Sequence, residues 1–332
     1  MGAESLQNIV TTTLNAWSKD VFNNVTNHNA LLYFFKTFGK LGLTGKGGVK
    51  TGSIETRNGG KQIDEDVSIK ENTNVGFVAY NENVGTDVVD VLNTATFDWK
   101  YCYGNAVLWD AQIKMNADSQ YRKHKLVENI ILNTEQTMIN AVGKGIWNTS
   151  DADSLDGIPT LITDNGLGTI GGINATDYAN WRNKVRTLGT THTAAELLTA
   201  MAKLYRDCTR GVSMPDLIVT GPDLYGEFEA ALTPNQRFTD AKMADAGFIY
   251  LKFHGATVIH DENCPAGRMY FLNTRALAFN FHRDAMFTVG DMEKKYGQQQ
   301  YCWPVTAMCN FSVRSRRDLG VLVVGDDESS SS

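Results

Sequence analysis

Residues 44 to 74 read TGKGGVKTGSIETRNGGKQIDEDVSIKENTN, and whether this stretch folds on its own chain or against another decides what the rest can be. Its apolar side chains are Val49, Ile54, Ile63, Val67 and Ile69, scattered among glycines and charges. So little apolar surface does not offset the backbone entropy of ordering the whole segment. The expectation is that it is disordered, or ordered against a surface outside its own domain. Strand-like runs follow at Val75 to Asn81 and Ala95 to Leu108, the second with Phe97, Trp99, Tyr101 and Tyr103 alternating on one face. Together they predict a long hairpin reaching out of the body.

Upstream, Leu6, Ile9, Val10, Leu14, Trp17 and Val21, then Leu31, Leu32, Phe34, Phe35 and Phe38, recur at near-helical spacing, which predicts one or two amphipathic helices. Downstream, Asp118 to Val142 reads as one long helix. Asp118 caps it, Gly143 ends it, and Tyr121, Val127, Ile130, Ile131, Thr134, Met138 and Val142 share a side. At 1.5 Å per residue such a rod is about 37 Å long.

The second half alternates. Tyr178, Trp181, Val185 and Leu188 predict a short helix, and Thr193-Ala194-Ala195-Glu196 is a capping box opening another, with Leu197, Met201, Leu204, Tyr205 and Cys208 as its buried stripe. Asp216 to Thr220 is a core strand, and Gly221-Pro222 leads into a helix near Leu224 to Leu232. Strands are expected near Tyr250 to Phe253, Thr257 to His260, Met269 to Leu272, Ala276 to Phe281, Tyr301 to Arg314 and Leu319 to Val324.

The chain of 332 residues is 42% hydrophobic and 20% charged, globular values, and its net charge of -6 argues against a dedicated nucleic-acid binder. Five cysteines, at 102, 208, 264, 302 and 309, form no C-x-x-C pair and read as reduced, buried thiols. The first thirty residues lack the pattern of a secretion signal and no apolar run is long enough to span a bilayer, so the chain is expected to stay inside the cell until released, with no membrane partner.

Gly166, Gly168 and Gly171 have the G-x-G-x-x-G spacing of a dinucleotide loop, but turn residues precede them and Gly172, Ile173 and Asn174 follow where a helix should begin. They read as a polar surface loop. His254, His260, Asp261 and Glu262 fit no helical zinc pattern and read as strand-edge polar residues. Arg314, Arg316 and Arg317, with Arg182, Lys184 and Arg186, read as solvated or salt-bridged surface groups, or as contacts to an acidic face of a neighbouring subunit. No serine-nucleophile elbow or phosphate-binding P-loop occurs. No catalytic, cofactor or metal residue is therefore assigned, and no cofactor is expected.

The order of parts is similar to that of the major capsid proteins of tailed double-stranded-DNA bacteriophages, the fold named after bacteriophage HK97. The phrases DGIPTLI (156–162), GGINATDYANWRNKV (171–185), MPDLIVTGPDLYGEFE (214–229), QRFTDAKMADAGFIYLKFHGATVI (236–259) and RMYFLNTRAL (268–277) resemble recurrent phrases of that family. The resemblance implies an α+β fold with an N-terminal helical arm (1–43), an extended loop hairpin (44–110), a peripheral domain with a spine helix (111–154), an axial domain (155–275), return strands of the peripheral domain (276–325) and a flexible tail (326–332). It also implies a structural protein, not an enzyme, that self-assembles as pentamers and hexamers into an icosahedral head around double-stranded DNA held without sequence-specific contacts. Scaffold, portal and decoration proteins are its expected partners. Some relatives join subunits through a Lys–Asn isopeptide bond; Lys70 lies in the corresponding region, without an identifiable partner. The alternatives are an encapsulin-like cellular shell and, from another class, a soluble α/β nucleotide-binding enzyme.

Overall fold

The computed structural model describes residues 54–77, 87–115, 120–149, 151–232, 251–294 and 296–325. The N-terminal arm, the start of the long helix with Asp118, and the tail lie outside the described residues. In chain order the first elements are strands β1 (Ile54–Arg57), β2 (Gln62–Ser68), β3 (Leu92–Asp98) and β4 (Lys100–Trp109), then helices α1 (Asp110–Met115), α2 (Gln120–Gly145) and the single turn α3 (Ile158–Leu161). Next come β5 (Thr169–Ile170), β6 (Ile173–Asn174), β7 (Lys184–Leu188), helix α4 (Ala194–Cys208), β8 (Leu217–Thr220) and helix α5 (Pro222–Ala231). The last stretch is mostly strand, with one 3-10 turn at Arg316–Asp318: β9 (Leu251–Phe253), β10 (Ala256–His260), β11 (Arg268–Leu272), β12 (Leu277–His282), β13 (Thr288–Val289), β14 (Glu293–Lys294), β15 (Gln300–Val313) and β16 (Gly320–Val324).

Two six-stranded sheets carry the structure. In the first, β15 is the long central strand: β4 pairs antiparallel along one edge, from Gln300 opposite Trp109 to Cys309 opposite Lys100, while β12, β13 and β14 share the other. β1 extends this sheet in parallel with β12. Helix α2 lies against β4, with Val127, Ile131, Met138, Ile139 and Val142 buried. The second sheet has the order β7-β16-β11-β8-β10-β9. Every residue of β8 is buried, as expected of a strand covered on both faces. One face packs on α4 and α5 through Leu197, Met201, Leu204, Phe228, Met269 and Phe271; the other joins the core shared with α2 and the first sheet through Val219, Tyr270 and Leu272.

The capping box forms as expected: Thr193 Oγ1 accepts from the Glu196 amide while the Glu196 carboxylate accepts from the Thr193 amide at 2.8 Å. All five residues of the expected stripe on α4 are buried.

Four expectations are corrected. Residues 184–188 are a strand, not a helix; Trp181, Val185 and Leu188 mimic a helical repeat, but Val185 pairs in parallel with Val321 in β16. Val75 to Phe77 is not strand; the hairpin is built instead from β2 and β3, with Ile63 opposite Phe97 and Val67 opposite Asn93. Phe97, Trp99, Tyr101 and Tyr103 do not share one environment, because the pairing breaks at Trp99. Phe97 is buried from β3 whereas Tyr101 and Tyr103 stand exposed on β4, the face switch that a one-residue interruption of a period-two strand produces. Helix α2 runs through Gly143 to Gly145, since Gly143 sits buried in the last turn and needs no left-handed conformation there.

Candidate assembly surface

The decisive stretch does fold on its own chain, at least from Ile54 onward. Strand β2 alternates strictly, burying Ile63, Glu65 and Val67 and exposing the residues between, and Ile69 continues the buried row. Counting apolar residues underestimated it, because every one from Ile63 to Ile69 falls on a single face. Charges on that face are neutralised locally. Glu65, only 8% exposed, lies between Arg57 and Arg314, and accepts from Ser312 Oγ at 2.9 Å. Arg314 also reaches Glu55 at 2.6 Å, and Arg57 Nε donates to Asn280 Oδ1 at 2.8 Å. Burial alone would lower the Arg314 pKa; hydrogen bonds from its guanidinium to Glu55 and Glu65 outweigh it and hold it above the ordinary arginine value. β1 and β4 are thus laid into the body sheet, and the free hairpin is narrower than residues 44–110.

The glycine loop holds the other side of this hairpin. β5 and β6 form a minimal hairpin whose two turn residues, Gly171 (φ +59) and Gly172 (φ +77), both need the left-handed region. The Gly171 carbonyl accepts from the Thr96 amide at 3.1 Å, and a Cβ on Gly171 would stand 2.9 Å from Ala95 Cβ. A strand, not a helix, follows the glycines, so the arrangement a pyrophosphate requires is missing and the loop serves to dock the hairpin.

Arg316 overturns its surface reading. It is fully buried and donates to the carbonyls of Leu161 (2.9 Å) and Trp181 (3.1 Å) and to Asn183 Oδ1 (2.7 Å), with longer contacts to Thr163 Oγ1 and Leu167 O. No carboxylate is among these acceptors, and desolvation pushes its pKa down to about 10. It ties α3, the turn Ala179–Trp181 and the glycine loop together. Buried Asn310 does similar work at the hairpin root, donating to Asp98 O and Asp156 Oδ2, both at 2.7 Å. Neither residue carries a motif: Asn310 lies within a mostly apolar strand, and Arg316 within the polar run Arg314–Asp318.

The remaining candidates are dispersed. His254 (φ +48) forms the tight turn between β9 and β10 with Gly255 and stacks on Tyr205 at 5.3 Å, whereas His260 packs on Tyr225 and the Asp261 carboxylate accepts from the Asn263 amide. Among the described residues no group of three such side chains converges on a metal position. Arg186 pairs with Asp207 at 2.7 Å, and Arg182 donates to the carbonyls of Ala175 and Thr176. Burial raises the thiol pKa of Cys208, Cys264 and Cys309 and so favours the neutral thiol there, while Cys102 and Cys302 are half-buried. The Lys70 ammonium lies 5.4 Å from the centre of the Tyr178 ring.

Among the described residues, several large apolar side chains stand exposed. Beyond the hairpin root, Val75, Phe77, Val88 and Leu92 are at least 72% exposed, and the outer row of β4 presents Tyr101, Tyr103, Val107 and Trp109. Clustered apolar exposure of this kind marks an association surface.

Comparisons with known proteins agree with this reading. No curated protein matches the chain by sequence. Among solved structures, the capsid of cyanophage A-1(L) superposes with a TM-score of 0.64 at 16% identity, covering 81% of this chain and 89% of that one. The capsid of Myoviridae phage XM1 gives 0.51 at 11% identity over 82% and 90%. The holo-SrpI encapsulin of Synechococcus elongatus also gives 0.51 at 11% identity, over 81% and 84%, so likeness of fold alone does not separate phage heads from cellular shells. The family does: the model of the SU10 major capsid protein matches residues 104–309, well over half of the chain. The chain belongs to the SU10 major capsid protein family and is a structural protein of the phage capsid.

Proposed function

We propose that this chain closes into an icosahedral head of pentamers and hexamers around double-stranded DNA, and that the distal part of its hairpin lies on the adjacent subunit. The observation that carries the proposal is the contrast along one hairpin. Ile63, Val67, Ala95 and Phe97 at the root are buried in the chain's own core, whereas Val75, Phe77, Val88 and Leu92 beyond it are left uncovered by the described residues. Covering such side chains from a neighbour gains about 25 cal/mol per Å² of apolar surface, and repetition around a closed ring multiplies the contact. In this scheme α2 and the first sheet form the peripheral part, and the second sheet with α4 and α5 the axial part. Scaffold and portal proteins would nucleate assembly, and the net charge of -6 keeps the shell from gripping DNA.

The test is electron microscopy of the purified full-length chain. Closed shells or five- and six-fold rings are expected; a small oligomer alone, at every concentration and with scaffold supplied, would contradict the proposal.

A further inference from the structure

Strand β2 turns Asp64 and Asp66 outward from the face that buries Ile63, Glu65 and Val67. Two residues apart on one strand, the two carboxylates sit about 7 Å from each other. Neither has an ion-pair partner among the described residues. Asp66 Oδ1 accepts from Thr94 Oγ1 at 3.0 Å, and the Asp64 main-chain carbonyl, not its carboxylate, accepts from Arg57.

Where β2 ends, a cleft of about 200 Å³ is lined by Lys70, Arg210, Arg314 and Arg317, with Glu71 and Asn180 among its other walls. Arg314 is neutralised by Glu55 and Glu65. Arg317 donates to the neutral Asn180 Oδ1 at 3.0 Å, and Lys70 rests over the Tyr178 ring. No carboxylate lies within ion-pair distance of Lys70, Arg210 or Arg317 among the described residues, so even with Glu71 the cleft is cationic in a chain of net charge -6.

Among the described residues, neither Asp64 nor Asp66 forms an ion pair with a cation of the cleft. β2 is an extended, paired strand that carries the acids along its length and ends, at Ser68, in the wall of the cleft. We propose that the outward carboxylates Asp64 and Asp66 of one copy seat against the Lys70–Arg210–Arg317 cleft of the next, a head-to-tail contact that closes into a ring. This rests on the capsid reading and names the charged part of its subunit interface. Two different surfaces meeting in this way generate rings when the rotation closes. Their charges set register and encounter rate more than affinity, so assembly should weaken as salt screens them.

Charge exchange tests the contact. The double variants Asp64→Lys with Asp66→Lys, and Lys70→Glu with Arg210→Glu, alter exposed side chains only and should leave the subunit's thermal unfolding unchanged. Each should raise the protein concentration needed for ring or shell formation at least about tenfold at physiological salt. Combining all four substitutions should restore assembly toward the wild-type level. Wild-type assembly by either double variant, or no recovery in the combined one, would overturn the pairing. So would normal assembly of the Lys70→Glu/Arg210→Glu variant with loss of retained DNA, which would assign the cleft to phosphate. If the unmodified chain forms neither rings nor shells under the same conditions, the capsid proposal itself fails and this contact with it.

Discussion

The second sheet and the loop hairpin solve the problem of burial in opposite ways. β8, β11 and β16 are sandwiched between α4 and α5 on one side and the common core on the other, so the sheet is complete within one chain. The hairpin buries one face of its root and leaves both its outer acids and its distal apolar residues to another surface. A subunit built this way folds before it assembles. Its core stability and its assembly should therefore be separable by mutation.

The largest effect is expected in the self-sufficient region. Phe271, fully buried between β11 and the two helices, should cost about 4 kcal/mol when changed to Ala, measured by denaturant unfolding of the dissociated subunit. Arg316→Met should cost about 3 kcal/mol, because it strands the carbonyls of Leu161 and Trp181 in the interior and removes one of two donors from Asn183 Oδ1. Recovery by lysine should be small, since one ammonium cannot reach the same spread of acceptors.

At the seam between the regions, Gly171→Ala must place a Cβ against Ala95 at a left-handed backbone position. A loss of about 2 kcal/mol is expected, read as faster exchange of the Thr96 amide that bonds to Gly171. Unfolding to the same extent without that local change would show that the glycine loop does not hold the hairpin.

Glu135 gives an effect of similar size that is confined to alkaline pH. It is buried on α2 with Oε1 unpartnered, and desolvation raises its pKa to about 8. A carboxyl with a raised folded-state pKa binds its proton more tightly in the native state, so its favourable contribution is complete below the ordinary carboxylate range and is lost as pH climbs through about 8. Glu135→Gln should thus stabilise the subunit by about 2 kcal/mol at pH 8.5 and change little at pH 4, measured by thermal unfolding at both values. Equal effects at the two pH values would rule out titration of this carboxyl as the cause.

Legibility followed the same division. The capping box on α4 and the long strands from Leu217 onward, though not the two-residue β13 and β14, were readable because local patterning and burial agree there. β7 was misread as helix because its pairing with β16 joins residues more than 130 positions apart, beyond any local window. β1 went unrecognised for the same reason: Ile54 pairs with Phe279. In the candidate surface, the polarity of residues 44 to 74 pointed to a neighbour, but period-two alignment of Ile63, Val67 and Ile69 lets the root fold alone. The need for a partner shifts outward, to Val75, Phe77 and the exposed acids. Arg316 and Asn310 were illegible as structural ties because nothing in their local sequence reveals which distant carbonyls each will meet.

Amide hydrogen exchange on dissociated subunits and assembled particles compares the two halves of the hairpin directly. The account requires the β2–β3 amides, including those of Ile63 and Phe97, to be protected in both forms, and those of Gly76, Phe77 and Val88 to become protected only in particles. Equal protection of the distal amides in the dilute subunit, or none in the particle, would contradict it.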